Sequence, residues 1–501
     1  MEIEICVVMK LNVRFIVVLG LLCALSLGAV ASMPIKPIKL KSSEKVKIEG
    51  ITYQLYPKKA EAKVIKADTL YAGEIIIPDS VACDSIVYKV IEIDARAFSK
   101  SAVSAVVIPA SVEKIGGNAF EECNDLTAIT IPPTVTDLGT GLFSGCKNLE
   151  VVNLPENMEK LPNSTFANCG TLETVALPDR LKEIGISAFE GCVDLKGIDV
   201  PTSVDEIGRD AFKNCTSLKD VKLSNGLKNL GSGAFEGCVS LHSIELPRSL
   251  SKLPNEVFQG CSTLQDVQLT NSLKSIGSNA FEGCADLKKI ILPSSLSDLG
   301  SSAFRDCTSL EEMSIPSGLD KIPSSAFRGC SNLYKLNISF AVKSIGDDAF
   351  HGCARLDSVF IPNSVKTLGA SAFEGCTNLR RAQLSNALKV LSSKLFRGCS
   401  NLNGVTIPNS VAELKDDVFR DCSSLTAITI PVSVKKLGND VFKSCTNLQE
   451  ITMRSAAPPK ISGDTFDKDV QRYATLYVPD EGIYKNEREK RWSKFSNIVK
   501  R

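Results

Sequence analysis

The 501-residue chain carries 58 Lys and Arg against 57 Asp and Glu, a net charge of +1. No global field draws it to nucleic acid or to an anionic membrane, so neither is an expected partner. With 44% hydrophobic residues it can bury a large core, which excludes a disordered chain.

The chain opens on a pattern that predicts export. Lys10 and Arg14 supply positive charge, the apolar run Phe15 to Val30 follows, and Ala29-Val30-Ala31 offers small residues at a cleavage site. Residues 1–31 are therefore expected to be a signal peptide, cleaved after Ala31. The alternative is an uncleaved anchor, for which the run is short against a span of about 20 residues. Glu2 and Glu4 fit an n-region poorly, so Met9 is an alternative start. Cys23 follows Gly20-Leu21-Leu22, and Leu22 stands where a lipidation site wants a small residue. No second apolar stretch is long enough to span a bilayer, so the mature chain is expected to have no transmembrane segment.

An internal period organises the rest. Phe120 recurs every 23 residues as Phe143, Phe166 and Phe189, through Phe281 and Phe350, to Phe442. All fifteen are followed three residues later by Cys, from Cys123 to Cys445. Phe98 precedes the series by 22 residues and Phe466 follows it by 24, both without the Cys, as degenerate ends would. In one unit Leu126, Ile129 and Ile131 form Leu-x-x-Ile-x-Ile, which predicts a short strand with one buried face. Pro132 ends the ladder for want of an N–H. Val135 and Leu138 turn inward again, Gly139 permits a tight turn, and Leu142 with Phe143 closes the far side.

A 23-residue coil cannot bury its apolar ring alone, but equal coils stacked Leu on Leu and Phe on Phe share one core. The predicted fold is a leucine-rich-repeat solenoid of about 17 coils. Its parallel β-sheet lies on the concave face, with short turns and helical segments on the convex face. Residues 32–92 read as an N-terminal capping segment, 93–455 as the array, and 456–501 as a degenerate repeat and cap.

The repeat Leu-x-x-Ile-x-Ile-Pro-x-x-Val-x-x-Ile-Gly-x-x-Ala-Phe-x-x-Cys resembles the BspA-like, or Treponema pallidum-type, leucine-rich repeats. The run from Ile276-Gly277 through Ala280-Phe281 to Cys284 is a clean copy. The resemblance covers residues from about 50 to 480. Gly50-Ile51-Thr52-Tyr53 and Tyr88-Lys89-Val90 are similar to the segment that opens such arrays in Bacteroidetes proteins. Leu476-Tyr477-Val478-Pro479, with Tyr484, Trp492 and Ile498, is similar to the segment that closes them. The resemblance implies a secreted or surface-attached bacterial protein, often an adhesin.

Chemistry is sparse. The fifteen ladder cysteines occupy one equivalent position per coil. An odd, evenly spaced set cannot all pair, so a column of buried thiols acting as small hydrophobes is expected rather than disulfides. No Cys-x-x-Cys occurs to suggest zinc, and Cys83 has no evident partner. His242 and His351 stand in separate repeats and read as surface polar residues. No His-Glu-x-x-His, Walker loop or dinucleotide fingerprint occurs, and no insertion offers a lid or pocket. The chain is expected to be no enzyme, with no cofactor and no metal.

Binding residues are sought at the exposed strand positions, since the coil core is fixed. Ile291, Tyr334 and Phe360 are large apolar residues there, within four coils. Arg380 and Arg381 follow one coil beyond, and Lys335 adjoins Tyr334. Tyr and Arg are enriched at binding hot spots, and aromatics in interface cores. These residues are the candidate protein-binding patch; ordinary packing between neighbouring coils is the alternative. The tail from Lys485 to Arg501, with Trp492 and Phe495, reads as an amphipathic cap helix or as a basic surface for anionic envelope polymers.

The expected function is a secreted or cell-surface protein-binding repeat protein, an adhesin or partner-cell interaction protein, whose partners are extracellular or cell-surface proteins. The alternatives are an envelope or assembly scaffold and a carbohydrate-binding accessory protein. Exposed aromatics in a row would mark the last, and only Tyr334 and Phe360 qualify.

Overall fold

The computed structural model describes residues 43–486 and 491–501. The signal peptide expected at 1–31, with its cleavage site, lies outside the described residues. Among those described, each repeat closes one turn of a β-solenoid of about 18 turns. Leu126, Ile129 and Ile131 are buried while Thr127, Ala128 and Thr130 face solvent. That alternation makes the strand Ala128–Thr130, which pairs in parallel with Val151–Asn153, each residue opposite its equivalent 23 positions on. The Ile131 N–H donates to the Asn153 carbonyl at 3.0 Å, the last rung before Pro132.

A second, narrower ladder runs beside the first. Asp137–Leu138 pairs in parallel with Lys114–Ile115, and the same two-residue strand recurs in most coils. The inward turn of Val135 and Leu138 was legible in the sequence; the pairing was not. Gly139 serves this ladder by close approach. A Cβ there would lie 2.2 Å from the Gly117 nitrogen, so the coils need a residue without a side chain rather than one with an unusual φ.

The third side of the coil corrects the expectation of helical segments. Only turns occur there. The Phe143 and Gly145 N–H groups donate to the carbonyls of Thr165 and Ala167 in the next coil, at 2.9 and 2.7 Å, so they have no bond left for an i−4 carbonyl. Gly141 and Gly145 also adopt φ of +64° and +76°, and Asp417 and Asp421 hold the equivalent positions at +60° and +63°. Two left-handed residues per coil are incompatible with a right-handed helix.

Phe closes the core on this side. The rings from Phe98 to Phe466 are all buried and stack at centroid distances of 5.2 to 5.8 Å. Tyr71 begins the column against Phe98 at 4.8 Å, and Trp492 and Phe495 end it against Phe466 at 5.8 and 5.1 Å. The ladder cysteines are free thiols. Each Sγ from Cys123 to Cys445 donates to the carbonyl of the preceding coil's Phe, as Cys146 does to Phe120 at 2.9 Å.

Antiparallel strands Glu44–Ile48, Ile51–Tyr56 and Glu61–Val64 lead into the second ladder through Ile86–Ile93. The first ladder starts at Ala72–Ile76, paired with Ala102–Val107. At the other end the described residues from 491 to 501 form no amphipathic helix. They form one 3-10 turn, Trp492–Lys494, and the strand Asn497–Lys500, which adds in parallel to Thr475–Val478. Two short α-helices precede it, Lys468–Tyr473 and Glu481–Lys485. Trp492 and Ile498 point into the last coil, where a strand lets the cap continue the ladder instead of lying across it.

Candidate binding face

Within each coil, the first ladder presents two residues ahead of its central buried side chain and one after it. In the coil from Leu356 to Ile361, Asp357, Ser358 and Phe360 are exposed and Leu356, Val359 and Ile361 are buried. Equivalents align by register, Phe360 opposite Gln383 and Ser358 opposite Arg381.

The candidate residues separate on this grid. Tyr334 and Lys335 form a knot with their neighbours. The Tyr334 hydroxyl donates to Glu312 Oε1 at 2.8 Å, Lys335 Nζ donates to Glu312 Oε2 at 3.2 Å, and the Arg355 guanidinium sits 5.8 Å from the Tyr334 ring centre. The bond from Tyr334, then that from Lys335, holds the Glu312 carboxyl below its ordinary pKa. The same bond pushes the Tyr334 hydroxyl above its own. Ile291 is 70% exposed, but no strand forms over 287–292. It stands three coils from Phe360, on the order of 14 Å at a strand spacing of about 4.8 Å.

Phe360, Arg380 and Arg381 come together on neighbouring coils. Arg381 lies in the strand Arg381–Gln383, and Arg380 stands one residue ahead of it. Among the described residues neither arginine forms an ion pair, whereas Lys196 reaches Glu173 at 2.7 Å and Lys222 reaches Asp199 at 3.3 Å on the same face. Gly404 lies beside Arg381, where a Cβ would come within 2.9 Å of the Arg381 Cγ.

The sequence reading missed Phe340. It is 75% exposed and meets Phe360 edge-on at 6.1 Å and 70°. It belongs to the turn after the strand, outside the strand positions searched. The signal was there: the equivalent position holds Glu156, Asp179, Arg248, Asn271 and Asn363, so an aromatic stands out in a column that is polar in most coils.

Other features do not assemble into a reaction centre. His242 is exposed, its Nδ1 3.4 Å from the Ser240 carbonyl. His351 Nδ1 lies 3.5 Å from Asp348 and 3.9 Å from Glu374. An open groove of about 880 Å³ lies by Pro133, Asn153, Asn157 and Arg180, beside a coil in which no strand forms over 172–177. Among the described residues, no cluster of three or more His, Cys, Asp or Glu could hold a metal, and no helix is long and apolar enough to cross a membrane.

Stacked coils with a shared core and an open ladder face define a leucine-rich-repeat protein. The family model of the BspA type leucine rich repeat region matches residues 91–219, 182–311, 257–380 and 369–480, and the chain belongs to that family. Among solved structures, a leucine-rich repeat protein from Bacteroides ovatus is 31% identical, covering 83% of this chain and 99% of its own, with a TM-score of 0.62. A leucine rich cell surface protein from Faecalibacterium prausnitzii is 24% identical over 82% and 95% of the two chains, with a TM-score of 0.39. The T. pallidum leucine rich repeat protein is 25% identical over 53% and 91%, with a TM-score of 0.28. No curated protein sequence matches the chain.

Proposed function

We propose that the chain is a cell-surface binding protein that engages a protein on a host or neighbouring cell, without catalysing a reaction. One observation carries this reading: the unpaired Arg380 and Arg381 beside the exposed Phe360, on a ladder where Lys196, Lys222 and Lys335 pair with the coil before. An aromatic next to two free guanidinium groups is the composition of a binding hot spot, and the arginines favour an acidic partner surface. The rigid stack beneath them removes most of the ordering cost of docking.

Two measurements test it. Protease treatment of intact cells should degrade the protein rapidly; survival until lysis would leave an internal envelope scaffold instead. The purified chain should bind at least one host matrix or neighbouring-cell protein, and the Arg380→Glu/Arg381→Glu variant should lose that binding at least tenfold with the fold unchanged by circular dichroism. Unchanged affinity would remove the patch.

A further inference from the structure

Beside the first ladder runs a shoulder made of the residue after each central strand side chain and the four that follow. The segment 268–272 and its equivalents every 23 residues, through 291–295 and 360–364 to 429–433, contain no Asp, Glu, Lys or Arg. That is eight consecutive coils and forty residues, where the chain's 23% charged content would place about nine charges. The five coils before it each carry at least one, including Glu156, Asp199, Lys222 and Arg248. At a strand spacing of about 4.8 Å the uncharged strip is on the order of 34 Å long.

Two exposed columns line it, one from the strand end and one from the turn. Near its middle is the edge-on pair Phe340 and Phe360. Amides follow: the Asn363 Oδ1 accepts the Asn386 backbone N–H at 2.9 Å, while the side chains of Gln383, Asn386 and Asn409 are exposed and make no hydrogen bond among the described residues.

From this shoulder we infer a binding site for a neutral polysaccharide, lying along the solenoid axis across the Phe340–Phe360 corner. An acidic polymer finds a cation only at the strip's last coil, where Lys435 Nζ donates to the Val432 carbonyl at 3.0 Å, and a basic one finds no anion among the strip's residues. A folded protein covering such a length would set its own charged groups against a surface that cannot pair them. The exposed apolar residues Ile291, Phe340, Phe360 and Val432 are too scattered to form a contiguous apolar interface. A neutral sugar chain meets neither problem. Each free amide offers one acceptor and two donors to ring hydroxyls, the phenyl faces take the C–H face of a pyranose, and a coil repeat close to the length of one sugar lets weak contacts recur along the polymer. This site adjoins the arginine pair: Phe360 borders both, and Gln383 ends the strand that Arg381 begins.

Affinity electrophoresis of the purified chain in native gels containing dextran, mannan or a mixed-linkage β-glucan tests it, with polygalacturonate as the acidic control. Retardation is expected in at least one neutral polymer and not in polygalacturonate. Phe340→Ala/Asn386→Ala, both exposed, should lower that apparent affinity at least tenfold with an unchanged circular dichroism spectrum. The Arg380→Glu/Arg381→Glu variant should keep it, which separates this site from the protein-binding patch. No retardation in any neutral gel, retardation by polygalacturonate alone, or retardation indifferent to the double substitution would overturn the proposal.

Discussion

Cys192 shows what one position per coil contributes. Its thiol donates to the Phe166 carbonyl at 3.0 Å, and burial pushes it up to about 12. Burial does the same to Cys238 and Cys376 and holds Cys169, Cys215 and Cys353 well above the ordinary thiol value. An unfolded thiol titrates near 8.5. Between about pH 8.5 and 12 the unfolded chain therefore loses protons that the folded chain keeps, and stability falls as pH rises. Each of these raised thiols contributes about 1.4 kcal/mol per pH unit to that loss. The urea midpoint should drop steeply above about pH 9, and the drop should be shallower in a Cys192→Ala/Cys238→Ala/Cys376→Ala variant, whatever its midpoint at pH 7. Parallel pH profiles for the two proteins would refute the account.

At the scale of the element, the Phe column supplies the core that the short strands cannot. Phe281 is fully buried, with Phe258 and Phe304 at 5.4 and 5.2 Å. Phe281→Ala should cost about 3–5 kcal/mol, since it removes a ring from a stack that coils on both sides hold open. The exposed Ser294→Ala in the next coil should stay within about 0.5 kcal/mol. Urea unfolding measures both, and equal effects would mean that the stack carries no special weight. The same column explains what was legible in the sequence. A fixed Phe-x-x-Cys interval and the Leu-x-x-Ile-x-Ile alternation placed the first ladder, the core and the coil period. The second ladder was hidden because a two-residue strand such as Asp137–Leu138 is too short to show alternation. The helical segments were wrongly expected because the turn's hydrogen bonds run between coils, which no local pattern reveals. At the candidate face, Arg380, Arg381 and Phe360 were found by strand position. Phe340 was missed because its neighbour Phe360 lies 20 residues on. The Tyr334 knot with Glu312 and Arg355 likewise needed the register between coils.

For the solenoid as a whole, the ends differ from the middle because they have a neighbour on one side only. In such arrays stability is a sum of coil terms and nearest-neighbour interfaces, so the last coil holds through its cap. Contacts that fix the cap include the Trp492 indole donating to the Pro459 carbonyl at 2.9 Å, the Tyr484 hydroxyl donating to the Ser455 carbonyl at 2.8 Å, and the ladder of Asn497–Lys500 with Thr475–Val478. Trp492 is the chain's single tryptophan, so its fluorescence reports this end while far-UV circular dichroism reports the whole ladder. If interfaces between coils are similar along the array, the capped end should open first. Tryptophan fluorescence should then change at a lower urea concentration than circular dichroism, and Tyr484→Phe, which removes one cap hydrogen bond, should widen the gap. Coincident transitions in both proteins would instead make the array one cooperative unit, with the cap bound as tightly as any interior coil.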